Sequence, residues 1–141
     1  MRKVFMISVL AILLCGCGSK DVIKKGEGTY TNQEGEKTTA KVTYKNDKLT
    51  EVSIDESTKD TTKRALKDTY EMKKASTIGK EWYEQMDYLQ TYIKDNGIKG
   101  IKLDEQGKAT NDDVKSGCTM SIDGYIKAVD DAMKNAKEVD K

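Results

Sequence analysis

No histidine occurs among the 141 residues. That single absence excludes Ser-His-Asp and Cys-His nucleophiles, a histidine general base and a histidine metal ligand. Cysteine is scarce: Cys15 and Cys17 stand near the N-terminus and Cys118 stands alone far downstream. An isolated thiol forms no intrachain disulfide, and one cysteine without histidine makes no zinc site. Charge of one sign is not in excess, with 25 Lys plus Arg against 24 Asp plus Glu and a formal net charge of +1. Near-balance of this kind argues against nucleic-acid binding, which needs a basic field. It shows no bias toward an anionic lipid or peptide partner either. No internal repeat is visible. With so little redox chemistry in the side chains, any electron-carrying role has to rest on a bound cofactor.

What is present begins at the N-terminus. Arg2 and Lys3 precede Val4 to Leu14, an eleven-residue apolar run broken only by Ser8. That suits a secretory signal core and falls short of the roughly 20 residues of a membrane span. The run ends in Leu14-Cys15-Gly16-Cys17, which resembles the lipobox of bacterial lipoproteins: a leucine, two smallish residues and the cysteine that is diacylated. Gly16 supplies the small residue before the cut, so Cys17 is the expected lipidation site. The expected organisation is a signal peptide over 1–16, a lipidated tether over 17–25 and one domain over 26–141, lipid-anchored on the extracytoplasmic face of the cell membrane. Removing the leader takes Arg2 and Lys3 with it, leaves the charges close to balance and keeps enough chain for one modest core.

Gly18 to Lys25 is polar and aperiodic. Gly26 to Thr31 predicts a first strand, and Lys37 to Lys45 a second, with Ala40, Val42 and Tyr44 on one face. Asn46-Asp47 predicts a turn, and Leu49 to Ile54 a third strand with Val52 and Ile54 inward. Leu49 is out of phase with them, which predicts a bulge near Thr50. Lys59 to Lys67 predicts a short helix, and 68–80 an irregular stretch anchored by Tyr70, Met72 and Ile78. Glu81 to Asp95 predicts a helix, because Trp82, Met86, Leu89 and Ile93 recur on one face and Asn96-Gly97 provides a stop. Ile98, Ile101 and Leu103 suggest a further short strand, followed by a polar loop over 104–112. A last helix is expected over 121–138, with Ile122, Tyr125, Ile126, Val129 and Met133 on one face. The fold class is α+β: a small antiparallel sheet of three or more strands packed with two main helices. Trp82 belongs to the core, whereas Tyr83 lies off the apolar face.

Before that last helix stands Asp113-Val114-Lys115-Ser116-Gly117-Cys118-Thr119. A hydroxyl just ahead of a helix sits where unpaired N–H groups and the positive dipole end favour a phosphate. Thr119 and Ser121 are equally placed to cap the helix. The order D-x-x-S-G-C-T resembles the attachment sequence D-x-x-[ST]-G-A-T of the FMN-binding domain family, with Cys118 where that family most often has alanine. A thiol is only slightly larger than a methyl. In that family a flavin transferase esterifies the last threonine with the phosphate of FMN, which by position implies Thr119 and one covalent FMN per chain. The stretch Met72 to Gln85 looks like the central segment of FMN-binding lipoproteins used in extracellular electron transfer, in which an Ile-Gly or Leu-Gly pair lies against the flavin. The matching pair here is Ile78-Gly79. Gly28-Thr29-Tyr30 and the strand-turn-strand around Asn46 to Leu49 also resemble that domain.

The resemblance implies roles residue by residue. Gly117 would permit close backbone approach to the phosphate or supply a positive φ, and Ser116 would donate to a phosphate oxygen. Asp113 would either fix the loop through an Asx-type turn or help bind the magnesium used in attachment. Gly79 would let the ring lie against backbone with Ile78 or Met72 covering a face, and Trp82 or Tyr83 would be the aromatic to stack on it. Cys118 is expected to pack beneath the loop rather than act as a redox thiol. The implied function is a carrier rather than an enzyme with its own substrate, taking electrons from a membrane quinol oxidase or another flavoprotein. No catalytic side chain and no metal site are expected. The alternatives are a lipoprotein binding module of the same fold without flavin, and a flavin-dependent reductase of a small extracellular substrate.

Overall fold

Alternation of small apolar with polar residues builds the sheet. In the computed structural model, which describes residues 18–139, three strands follow one another: β1 (Ile23–Thr31), β2 (Lys37–Lys45) and β3 (Lys48–Glu56). The proposed signal peptide and Cys17 lie outside the described residues. A short β4 (Lys137–Glu138) returns to the free edge of β1, giving a four-stranded sheet in the order β3-β2-β1-β4, with every pair antiparallel. Thr38, Ala40 and Val42 of β2 and Val52, Ile54 and Glu56 of β3 are buried on the inner face, the period of two that a pleated strand imposes. Thr43 pairs with Glu51 but Tyr44 with Leu49. Thr50 is therefore the extra residue of a bulge, its Oγ1 donating to the Thr43 carbonyl at 3.1 Å, in agreement with the phase change read at Leu49.

Between sheet and site lie α1 (Lys63–Leu66), two 3-10 turns (Lys67–Tyr70 and Met72–Lys74), α2 (Trp82–Asn96), the one-turn α3 (Asp112–Lys115) and α4 (Asp123–Lys134). Trp82, Met86, Leu89 and Ile93 of α2 and Tyr125, Ala128, Val129 and Ala132 of α4 are buried against the sheet. Helix α4 lies directly on β1 because Gly26 and Gly28 leave it room. A Cβ at Gly26 would sit 2.0 Å from the Ala132 carbonyl oxygen, and one at Gly28 2.2 Å from the Ala132 nitrogen. The helix thus starts beside Tyr30 and ends beside Gly26, running against β1. Helix α2 runs the same way: Trp82 at its start bonds Tyr125 near Glu56, while Gly97 at its end lies with Tyr44 and Leu49. Both long helices therefore begin at one end of the sheet and finish at the other. Among the described residues no helix is long and apolar enough to cross a membrane.

Four expectations and one alternative are corrected. The tether expected over 17–25 ends before Ile23, because Ile23, Lys24 and Lys25 already pair with Lys45, Tyr44 and Thr43. The helix expected over 59–67 shrinks to α1, because residues 57–62 close a turn of their own with Thr58 N donating to Thr61 O at 2.8 Å, and Thr62 then caps Ala65 N at 3.3 Å. Ile98, Ile101 and Leu103 form no strand: Leu103 bridges only Ala109, and the chain folds back where Asp104 N donates to Lys108 O at 2.9 Å. The last helix spans neither 121–122 nor 135–138. Ser121 bridges Lys108 instead, and Asn135 donates to the Glu27 carbonyl at 3.1 Å, steering the chain onto the edge of β1. Finally, neither Thr119 nor Ser121 caps α4. Its N-cap is Ile122, with no side-chain cap bond.

Candidate functional site

A buried amide joins the two segments that the sequence singles out. Gln85 lies on the inward side of α2 and is only 1% exposed. Its Oε1 accepts the backbone N–H of Thr119 at 2.9 Å and lies 3.5 Å from the Thr119 hydroxyl. Its Nε2 donates to the Lys80 carbonyl at 3.1 Å and to Ser76 Oγ at 3.2 Å, with Met72 Sδ at 3.6 Å. An amide supplies a donor and an acceptor at once, so one side chain clamps the 72–80 loop to the end of the 113–119 segment. The Thr77 hydroxyl completes the junction by donating to Thr119 Oγ1 at 3.2 Å. Thr119 itself is half-buried, and Thr77 and Gly79 are exposed.

Around this clamp the loop is shaped by local bonds. Ser76 Oγ accepts the N–H groups of Ile78 and Lys80, both at 3.3 Å, which folds Thr77-Ile78-Gly79 outward. Gly79 takes φ +63°, a region that costs side chains energy, and a Cβ there would meet nothing. The backbone at Gly79 therefore presents an open surface. The 72–80 loop carries Lys73, Lys74 and Lys80 and no acidic residue, a setting that favours an anion.

The 113–119 segment is held from the α2 side by two tyrosines. Tyr88 OH donates to the Asp113 carbonyl at 2.7 Å and lies 2.9 Å from Ser116 Oγ, while Tyr92 OH donates to Asp113 Oδ2 at 3.0 Å. Asp113 Oδ1 accepts the Val114 N–H at 2.9 Å. Of its two envisaged roles, fixing the loop is the one these bonds perform. Ser116 is exposed, and its hydroxyl is engaged within the segment, donating to the Asp113 carbonyl at 2.8 Å. Gly117 has no positive φ. It is glycine because a Cβ would fall 2.1 Å from the Tyr88 ring. Cys118 is fully buried, and burial pushes its thiol up to about 11, although a backbone bond at Met120 acts the other way. Such a thiol is protonated and inert at neutral pH.

Beyond Met120 a cleft of about 360 Å³ opens. Met72 and Met120 line it together with Tyr30, and its floor is polar. Lys63 Nζ donates to Glu56 Oε2 at 2.9 Å and lies 3.6 Å from Glu36 Oε2. Tyr125 OH donates to the same Glu56 oxygen, and Trp82 Nε1 donates to Tyr125 OH at 3.0 Å. Lys63 is 8% and Glu56 6% exposed. Sequence reading missed this floor, although Glu56 stands two residues beyond Ile54 and Thr38 two before Ala40, both on the inner period. No such signal marks Lys63. Trp82 is in the core as expected, and its ring meets Tyr125 edge-on at 6.1 Å between centroids. Tyr83 is half-buried and donates to Asp68 Oδ1 at 3.3 Å. Among the described residues no group of three or more His, Cys, Asp or Glu is placed to hold a metal.

No family model matches the sequence, and no curated protein does. A solution NMR structure of a protein from Clostridium thermocellum is similar in fold, with a TM-score of 0.52 and 23% identity over 82% of this chain and 90% of that one. At that identity the likeness concerns the fold alone, and it agrees with the α+β architecture of a small antiparallel sheet covered by helices.

Proposed function

We propose that this chain is a membrane-anchored, extracytoplasmic electron carrier whose FMN is esterified to Thr119 and whose anchor is lipid on Cys17. The observation that carries the reading is the Gln85 clamp. Two segments far apart in sequence, which resemble the flavin-attachment and flavin-contact sequences of one family, meet within one hydrogen-bond network, with the Thr119 hydroxyl at the junction. The residues present fit such a group. Thr119 offers a half-buried hydroxyl, the open space at Gly79 leaves room for a ring against the backbone, and Met72 and Met120 lead from the threonine to the cleft. Thr119, Ile78, Gly79, Met72 and Met120 would hold the flavin. Asp113, Ser116, Gly117 and Cys118 would act beneath it by shaping the loop.

Bound flavin would supply one- and two-electron chemistry that no side chain here provides. The chain's own part is to hold the group, to orient it and to set its surroundings. Covalent attachment suits a carrier outside the cytoplasm, where a dissociated cofactor is lost. A flavin transferase would mature the protein, and a membrane quinol oxidase or another flavoprotein would feed it electrons. The test is intact mass after coexpression with a flavin transferase, with a gain of one FMN less one water expected. Cys17→Ala should release the protein from the membrane fraction.

The polar floor of the cleft favours a second reading, a lipoprotein binding module without flavin. Glu36, Lys63 and Glu56 would then face a ligand directly. Protein that stays colourless and unlabelled beside an active transferase would put this reading first.

A further inference from the structure

At the end of the sheet away from Thr119 lies a groove of about 480 Å³ between the β2–β3 turn and the ends of α2 and α4. Its apolar lining is Tyr44, Leu49, Ile98 and Met133, all half-buried. Its charged rim is Lys94, Lys99 and Lys134 against Asp47 and Asp130, and exposed Lys48 stands beside it at the start of β3. Lys134 is paired with Asp130 and Lys94 lies 3.4 Å from Asp95, whereas Lys48 and Lys99 have no ion pair among the described residues. The local balance is one positive charge, with Lys48, Lys94, Lys99 and Lys134 against Asp47, Asp95 and Asp130.

The groove is also where the tether arrives. Val22 exchanges bonds with Asn46, its N–H reaching Asn46 Oδ1 at 2.9 Å and its carbonyl accepting Asn46 N at 2.9 Å. The chain is thereby fixed to the same turn that carries Asp47. From Cys17 to Val22 an extended chain reaches about 17 Å at most, so lipid on Cys17 would hold this end of the domain close to the bilayer. The opposite end, with Tyr30 and the cleft, stands about 27 Å away along the eight steps of β1. Half-buried apolar residues rimmed by lysines, with Lys99 in the rim and Lys48 beside it outside any ion pair among the described residues, are the composition of a surface that meets headgroups.

We propose that the groove formed by Tyr44, Leu49, Ile98 and Met133, with its lysine rim, docks on an anionic phospholipid surface and holds the Thr119 end away from the membrane. The proposal rests on the lipid-anchor part of the reading above and is independent of the flavin.

The test uses the full lipidated protein reconstituted in vesicles. Gly100 has open space around its Cα, so Gly100→Cys accepts an environment-sensitive dye, while buried Cys118 stays unlabelled. A second reporter, Ala75→Cys, sits on the exposed 72–80 loop. With vesicles containing phosphatidylglycerol, the dye at Gly100→Cys should shift to the blue and brighten relative to pure phosphatidylcholine. The shift should fall away at high salt, where screening shortens to a few ångströms. It should also be lost when Lys94, Lys99 and Lys134 are all changed to Gln, and the dye at Ala75→Cys should remain aqueous in both lipids. An equal signal at Gly100→Cys in the two lipids overturns the proposal, as does a shift at Ala75→Cys in its place. A blue shift without vesicles, growing with protein concentration, points to a second copy and overturns it too. Protein whose mass shows no lipid on Cys17 removes the premise, and that failure is read separately from the dye.

Discussion

The Gln85 amide oxygen accepts the Thr119 backbone N–H at 2.9 Å from inside the core, so a helix residue, rather than the loop's own turn, fixes where the threonine stands. Gln85 also satisfies the Lys80 carbonyl and Ser76 Oγ. Replacing it by Leu keeps the volume but leaves the Thr119 N–H without its partner. A buried unpaired donor costs about 1–3 kcal/mol. Gln85→Leu is therefore expected to lower the denaturation midpoint and to reduce flavin attachment more than Gln85→Glu, which keeps an acceptor for Thr119 N. Chemical denaturation and intact mass on the same samples measure both effects. Attachment at the wild-type level in Gln85→Leu would show that the clamp does not position the threonine.

Gly117 and Tyr88 form a second pair whose coupling is open to measurement. A Cβ at Gly117 would lie 2.1 Å from a ring carbon of Tyr88, so the ring must move and give up its bonds to Asp113 and Ser116. Overpacking of this kind costs about 1–3 kcal/mol. Gly117→Ala should be strongly destabilising in the natural background and much less so in Tyr88→Ala, where the ring is gone. A double-mutant cycle on unfolding free energies isolates the difference. Equal costs in both backgrounds would assign the need for glycine to the backbone instead.

What the sequence disclosed about these sites divides by the range of the interaction. The alternation of Ala40 and Val42, the α2 face from Trp82 to Ile93 and the phase break at Leu49 are local patterns, and each sits as read. The reasons for Gly117 and Gln85 are not local. Gly117 reads as a turn glycine until Tyr88 is seen against it, and Gln85 reads as a polar residue on a helix until Thr119 arrives from 34 positions away. The end of α4 departs from its sequence pattern for the same reason. Helical periodicity continues past Lys134, but pairing of Lys137-Glu138 with β1 overrides it.

The floor of the cleft makes stability depend on alkaline pH. Burial alone would push the Lys63 ammonium down, yet the hydrogen bond and charge of Glu56, helped by Tyr70, hold it above its ordinary 10.5. Burial, followed by the bond to Glu56, likewise raises the Tyr125 phenol well above 10.0. Both groups keep their protons more tightly folded than unfolded, so their contribution is complete below about pH 10 and is lost as pH rises through the folded values. Unfolding free energy should fall as pH climbs beyond 10. Lys63→Met strands Glu56 without its cation and should cost about 3 kcal/mol at neutral pH, with a shallower fall above pH 10 because Lys63 no longer adds to the loss that Tyr125 and other raised groups such as Tyr44 and Tyr92 still make there. Denaturant titrations from pH 7 to 11 on both proteins decide it. Parallel curves would remove Lys63 from the alkaline transition.

The remaining test bears on Thr119 itself. Its hydroxyl accepts from Thr77 at 3.2 Å and lies 3.5 Å from Gln85 Oε1, and it caps no helix, because the N-cap of α4 is Ile122 without a side-chain bond. Removing the hydroxyl therefore costs at most a partly exposed hydrogen bond, about 1 kcal/mol. The fold should survive Thr119→Ala with its circular dichroism unchanged. Flavin attachment should not survive, because that variant has no oxygen at the matching position to form the ester. Thr119→Ser restores the oxygen without the methyl and should recover part of the label, separating the chemistry from any packing role. The readout is the intact mass of the protein matured beside an active flavin transferase, with flavin fluorescence migrating with the protein on a denaturing gel. Thr77 offers a hydroxyl at the same junction and is the natural control: Thr77→Ala should keep the label. If the flavin stays on Thr119→Ala and leaves Thr77→Ala, attachment belongs to the neighbouring threonine. If it stays on both, the ester lies elsewhere in the chain and the junction at Gln85 loses its proposed purpose.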